Sequence, residues 1–513
     1  MNFFQDSSKP SAAKRNLAVA GVMLVIFLFA IDATIVSTSM PTIVARLGGL
    51  ELYSWVFSIY MLTSALTTPL FGKLADLFSH RRLMLIGIGI FVLGSTLCGA
   101  AQSMETLVLF RAIQGLGGGA IYALAFIVVG VLFPPTKRAK MQGIISSIWG
   151  ISSILGPLAG GLIVEHTSWR WIFFVNLPIT AIAVGLITVG LKGDTTERHT
   201  PKLDLVGAST LLLGLILMFY ALSDSAHGRQ PLNAEMLSIF GLSFAVLIFF
   251  YFIERRAAEP IIPLDLFHLH LYRTSTFVAT LAAMGVFGAI SYLPLYLQGV
   301  LGMSASGAGM ILLLLSLGWT AGSLIAGQGI NRLGYRRVAG IGMSSMAVGF
   351  GIFVLTGHPV GLRLVLLASL LIGVGMGTAN LTTLVAAQNA VPIHRIGVAT
   401  STLMLFRAFG GAFCISLMGT VLFNRMEQGL GRIADNLSST LREKVANPQN
   451  LLEPATRVSI PPAFLPQLID ILASAIWYAF FTALLLMIVG CAMSNWMGAY
   501  TPANTPRPDD EAS

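Results

Sequence analysis

The chain has 513 residues, of which 55% are hydrophobic and only 10% charged, with a formal net charge of +9 and a mean hydropathy of +0.80. A soluble chain would carry about a quarter charged residues, so the balance excludes an ordinary soluble multidomain protein and fits an all-α protein crossing a bilayer many times. The excess of bases does not point to nucleic acid, because they are spread over short loops between apolar runs, as a positive-inside bias distributes them.

Residues 1–16 form a basic tail with Lys9, Lys14 and Arg15. The apolar run after it, 17–40, is longer than a signal-peptide core and is expected to remain attached. A bilayer needs about 20 apolar residues per helix. Runs of that kind lie near 17–40, 52–72, 83–101, 106–132, 141–164 and 171–191, then near 203–222 and 235–253. Six more lie near 274–297, 307–328, 338–357, 362–390, 396–422 and 468–495, predicting fourteen transmembrane helices. An even count puts both termini on one side. With that side cytoplasmic, twenty of the 31 Lys and Arg residues fall there and nine fall in outer loops, which predicts cytoplasmic termini.

A repeat divides the chain. Gly72 to Arg82, with Asp76, Arg81 and Arg82, reappears as Gly327 to Arg337, with Asn331 in place of the acid, 255 residues on. Gly156-Pro157 and Gly410-Gly411 recur at nearly the same offset. The expected organisation is therefore a six-helix half at 17–191, two inserted helices with flanking loops at 192–273, and a second six-helix half at 274–495. That second half carries a long outer loop at 424–467, and a cytoplasmic tail lies at 496–513. Paired halves of this kind are a transporter architecture, with the substrate site between them near the midplane.

Along the spans, a few residue types are expensive in a membrane. Asp32 lies deeper in an apolar run than any other carboxylate, which makes it the first candidate for a proton or cation site, and Arg111, inside the fourth run, is its candidate partner in proton coupling. At about 1.5 Å per residue, both sit about 10 Å below the outer face, so they can pair or share a water cavity. Snorkelling of Arg111 to the surface is the alternative. Arg407 falls near the midplane and is expected to face the interior, with no partner legible. Asn380, Thr383, Tyr292, Tyr296 and Gln298 could line a cavity or serve interhelical hydrogen bonds. Gly115–Gly119 and Gly373–Gly377 look like nucleotide loops but lie within apolar helices with no preceding strand, so close packing is expected. In the long outer loop, Leu430, Ile433, Leu437, Leu441 and Val445 recur at helical spacing, predicting an amphipathic helix on the membrane or over the outer cavity. The three cysteines and eight histidines form no disulfide framework or metal-ligand spacing.

Five segments in order resemble the fourteen-helix drug:proton antiporter branch of the major facilitator superfamily. They are Asp32-Ala-Thr-Ile-Val to Pro41, the Gly72–Arg82 loop, Arg111-Ala-Ile-Gln114-Gly115, Gly156-Pro157-Leu-Ala-Gly160-Gly161, and Trp169 to Pro178. The loop departs from the family pattern at Ser79, where glycine is usual, and at Leu77, where arginine is common. The resemblance implies that Gly72, Asp76, Arg81 and Arg82 form a conformational latch touching the start of helix thirteen near Ile396. It ties Arg111 and Gln114 to proton coupling, and the Gly156–Gly161 motif to exporters. Asp32 and Gln114 join Asn380, Thr383, Tyr292 and Tyr296 as expected cavity residues. As a whole, the resemblance implies a non-enzymatic exporter in the bacterial inner membrane. It would move small amphipathic or cationic molecules against protons, driven by the proton gradient with no cofactor and no ATP. A periplasmic adaptor is a further candidate partner. The alternatives are an exporter of a single metabolite or siderophore, or a membrane-embedded enzyme or sensor.

Overall fold

The computed structural model describes residues 12–48, 52–191, 204–226, 234–257, 260–303, 305–356, 360–432 and 464–501. The first half contains α1 (Ala12–Leu47), α2 (Tyr53–Leu77), α3 (His80–Ala100), α4 (Met104–Leu132), α5 (Pro135–His166), the single turn α6 (Trp171–Phe174) and α7 (Asn176–Gly190). A hairpin of α8 (Leu205–Ala226) and α9 (Ala234–Glu254) comes next. The second half contains α10 (His270–Leu295), α11 (Ala305–Leu355), α12 (Leu362–Asn389), α13 (Ile396–Arg432) and α14 (Leu465–Ser494). Eleven helices among the described residues are long and apolar enough to cross a membrane. Helix is the form these runs must take in a bilayer, because each satisfies its own backbone groups where no water can.

One of the eleven, α11, holds two of the predicted stretches. Its helical path breaks at Gly334, whose φ of 75° and ψ of 170° suit a residue without a side chain. The break is pinned by the Tyr335 N–H, which donates to the Tyr500 carbonyl at 3.0 Å. At the other extreme, α13 runs to Arg432, past the end of the apolar run near 422 and into the stretch 424–467 expected to be loop. Leu430 lies on this extension, 4% exposed and packed in the core, and not on a separate amphipathic helix. A helix that has cleared the apolar layer can continue with charged residues, and composition alone does not mark that point. Ile433, Leu437, Leu441 and Val445, with the adaptor-docking expectation, lie outside the described residues.

The halves meet along α2 against α13 and α5 against α11, with α4 and α5 also touching α13 and α12. Gly119 and Gly377 are points of closest helix approach. A Cβ there would lie 2.0 Å from the Ser64 and Trp319 carbonyl oxygens, which accounts for both glycine runs as packing. The hairpin packs through α8 on α2 and α13, joined by a cluster of Leu66, Leu211, Leu215, Phe250 and Leu405. Outward faces carry exposed Leu109, Ile182, Phe249 and Phe252, the surface a bilayer would cover.

Candidate functional site

Three clusters stand out, one inside the first half and two on the seam between the halves. The first is built on α1, α2 and α4 around Asp32, which is 0% exposed. Arg111 and Gln114, three residues apart on α4, share a helix face and close on the carboxylate together. Arg111 Nη1 donates to Asp32 Oδ2 at 2.6 Å and to Gln114 Oε1 at 2.8 Å, while Gln114 Nε2 donates to Asp32 Oδ1 at 2.8 Å. Arg111 Nε donates to the Val56 carbonyl at 3.2 Å, and its guanidinium lies 4.1 Å from the centre of the Tyr60 ring. The similar depths read from the sequence thus correspond to a direct pair, and Arg111, 1% exposed, does not snorkel. Each carboxylate oxygen accepts one of these hydrogen bonds, and a proton arriving on Asp32 would remove the charge that compensates Arg111. Removing one partner from such a buried pair costs about 3–5 kcal/mol. Gly156 shapes the same region, because a Cβ there would lie 1.9 Å from Thr34 Oγ1, two residues beyond Asp32 on α1. Pro157 and Gly160 lie in the same α5 turn, whereas Gly161 faces open space.

From Tyr60, a column of aromatic rings leads to the second cluster. Phe29 lies 5.9 Å from Tyr60 and stacks on Tyr122 at 4.9 Å, and Trp149 packs edge-on to both Phe29 and Tyr122. Trp149 then stacks on Trp319 of the other half at 5.9 Å and 8°. Beside this pair lies a narrow cavity lined by Tyr122, Ser146, Trp149, Trp319, Asn380 and Arg407. Arg407 Nη2 donates to the Asn380 carbonyl and to Thr383 Oγ1. Asn380 lines this cavity, whereas Thr383, fully buried, is not among its lining residues and serves as an interhelical hydrogen-bond acceptor. Tyr292 and Tyr296 lie elsewhere. The Tyr292 hydroxyl donates to the Ile415 carbonyl at 2.7 Å, and Tyr296, 3% exposed, accepts from the Val360 N–H and packs on Phe353 and Phe480. Both serve the interior of the second half.

The third cluster closes the seam at the end carrying the basic loops. Asp76, on the last turn of α2, accepts the Gly397 and Val398 N–H groups at 2.8 Å each, one on each oxygen. These belong to the first turn of α13, where helical N–H groups lack internal partners and the helix dipole favours an anion. Gly72 permits the approach, since a Cβ there would lie 1.9 Å from Ser401 Oγ. The repeat copy makes the reciprocal contact more weakly: Asn331 Nδ2 donates to the Thr136 carbonyl at 2.9 Å, and a Cβ on Gly327 would lie 2.8 Å from the Ala139 carbonyl oxygen. Arg81 and Arg82 lie just beyond, at the start of α3.

Sequence reasoning missed the other tie across this seam. Arg138 of α5, 5% exposed, donates to the Gln388 carbonyl at 3.2 Å and to Asn389 Oδ1 at 2.6 Å, at the C-terminal end of α12. Gln142 Nε2 donates to Gln388 Oε1 at 3.1 Å and to the Phe126 carbonyl at 2.9 Å. Arg138 was hidden among bases that the positive-inside pattern already explained. Two glutamines inside apolar stretches were the visible signal.

The model of the Major Facilitator Superfamily matches residues 22–414. The chain is 32% identical to the multidrug transporter protein MdtP of Bacillus subtilis, covering 98% of this chain and 97% of that one. It is 33% identical to multidrug resistance protein 3 of the same organism, covering 96% and 97%. Among solved structures, it resembles the human organic anion transporter MFSD10 at a TM-score of 0.64 and 16% identity, covering 94% and 99%. It also resembles the proton:xylose symporter XylE at 0.58 and 13%, covering 93% and 96%. These two likenesses speak to the fold alone. With two helical halves meeting along one seam, and a family model spanning both, the chain belongs to the Major Facilitator Superfamily, a family of multi-pass membrane transporters.

Proposed function

We propose that the protein is a proton-coupled antiporter of the fourteen-helix branch, exporting amphipathic compounds across the bacterial cytoplasmic membrane by alternating access. The observation that carries the reading is the Asp32–Arg111–Gln114 site, a fully buried carboxylate whose two oxygens are both held by protonation-sensitive hydrogen bonds. Relatives about 30% identical that are named multidrug transporters and efflux pumps support the export direction. In this cycle the basic end faces the cytoplasm, and the contacts of Asp76 and Arg138 hold the transporter shut on that side. A proton entering from outside neutralises Asp32 and frees Arg111 to shift towards the Val56 carbonyl and the Tyr60 ring of α2. The aromatic column transmits that movement to the central cavity, where substrate has been released outward. The halves then rock, the Asp76 contact parts, and the proton leaves inward as new substrate enters. The energy source is the proton gradient.

The test is reconstitution of the full chain in liposomes with an internal pH indicator, adding substrate under an imposed pH gradient. Wild type is expected to move protons only when substrate moves, and Asp32→Asn to lose that coupling while eluting as a folded monodisperse species. Full proton-coupled efflux in the Asp32→Asn protein would refute the reading. A susceptibility panel in an efflux-deficient host separates a broad exporter from one dedicated to a single compound.

A further inference from the structure

We infer that the cavity around Arg407 is an anion site, and that the protein's preferred substrates are amphipathic organic anions with an aromatic body, aromatic carboxylates above all. The inference rests on the export reading above and names the substrate class of the same central cavity.

The chemistry of the cavity wall carries it. Arg407 is a cation at the middle of the bundle, yet no carboxylate among the described residues pairs with it. Its Nη2 is taken by the Asn380 carbonyl and the Thr383 hydroxyl, both neutral acceptors, and its Nε is buried with no partner. The rest of the cavity wall is neutral, with Tyr122 from α4, Ser146 and Trp149 from α5, Trp319 from α11, and Asn380 from α12. Asp32, the carboxylate of the adjoining site, lies beyond the Tyr60 and Phe29 rings and has both oxygens committed to Arg111 and Gln114. The pair of Asp32 and Arg111 is electrically neutral, so the field inside the cavity is that of Arg407.

An unpaired guanidinium in a low-dielectric site is costly, and a planar oxyanion meeting its free edge relieves that cost with charge-assisted hydrogen bonds. The cavity holds only about 10 Å³ here, room for about one water, so an aromatic anion enters only as the halves part. That parting separates the stacked Trp149 and Trp319 rings, one from each half, and uncovers their flat apolar faces for the rest of the molecule. Aromatic walls also attract cations, but a second positive charge here would meet Arg407 with nothing to offset it. The position has a mechanical meaning too. Arg407 sits on α13, whose first turn is held by Asp76 of the other half. An anion gripped between Arg407 and the rings of α4 and α5 would therefore bridge the two halves on the helix that the latch controls.

The experiment uses the full chain in nanodiscs and a matched trio of radiolabelled probes: naphthoate, naphthamide and naphthylmethylammonium. Binding is read by equilibrium dialysis against empty nanodiscs, with no proton gradient. Wild type is expected to bind naphthoate about tenfold or more tighter than naphthylmethylammonium, the scale of a charged hydrogen-bonded contact. Arg407→Gln is expected to remove that preference while moving naphthamide much less, and Arg407→Lys to keep it in weakened form. Equal or tighter binding of the ammonium probe by wild type would overturn the proposal. So would an Arg407→Gln protein that weakens all three probes alike. Should Arg407→Gln fail to fold, the wild-type ranking and Arg407→Lys decide the matter. Loss of proton coupling is read separately in the liposome assay, so failure of the antiport reading leaves the ranking of the three probes standing.

Discussion

Replacing Asp76 by asparagine tests how firmly α2 holds α13 at the basic end. Each carboxylate oxygen accepts one first-turn N–H at 2.8 Å. A hydrogen bond to a charged group contributes about 1.5–3 kcal/mol, and an anion at a helix N-terminus adds about 0.3–1 kcal/mol. Asparagine keeps one acceptor, turns an NH2 towards the other N–H and removes the charge. Asp76 is only half-buried, so water recovers part of the loss and about 2 kcal/mol remains. At about 1.4 kcal/mol per factor of ten, the ratio of open to closed seams should rise about thirtyfold. Spin labels at Lys137→Cys and Arg332→Cys, both exposed on opposite halves near the basic end, report this by pulsed EPR once Cys98, Cys414 and Cys491 are replaced. The long-distance population should grow sharply in Asp76→Asn. In Asn331→Ala, which loses a single neutral bond to Thr136, the change should be about twofold, as a loss of about 0.5 kcal/mol implies. An unchanged distribution in Asp76→Asn, or a larger effect in Asn331→Ala, would refute the reasoning.

The same geometry sets two further outcomes. Gly72→Ala drives a methyl group to within 1.9 Å of Ser401 Oγ and 2.1 Å of its Cβ, so it should open the same label pair. Ser401→Gly should restore most of the closure in the double variant, leaving only the 3.0 Å approach to the Gly397 carbonyl oxygen. Restoration by no Ser401 substitution would show that the close approach is not what matters. Asp32→Asn should lower the melting temperature of the solubilised protein, since it strands Arg111 at a cost of about 3–5 kcal/mol. Adding Arg111→Gln should recover part of that loss, which a purely local packing defect at Asp32 would not do.

Much of the Asp32 site was legible because two rare, costly residues fell at one depth, and a low-dielectric bundle leaves a carboxylate and a guanidinium few alternatives to each other. The contact between Asp76 and the start of α13 came from family resemblance, since nothing in the spacing of one half names its partner in the other. The Trp149–Trp319 stack was illegible for the same reason: it depends on the register of α5 against α11. Tyr292 and Tyr296 show a second limit. Depth along a span is a count of residues, but the face a side chain presents is set by packing, and both tyrosines turned inward to satisfy backbone groups of their own half.

The α8–α9 hairpin rests on the outside of the seam where α2 meets α13, held by Leu66, Leu211, Leu215 and Leu405. Because α8 touches both halves, any rocking that parts them must slide it along one side, and the slit so opened would otherwise admit lipid tails. The hairpin is thus placed as a gasket with friction. Substitutions on its inner face would change how fast and how often the transporter turns over, leaving what it recognises untouched.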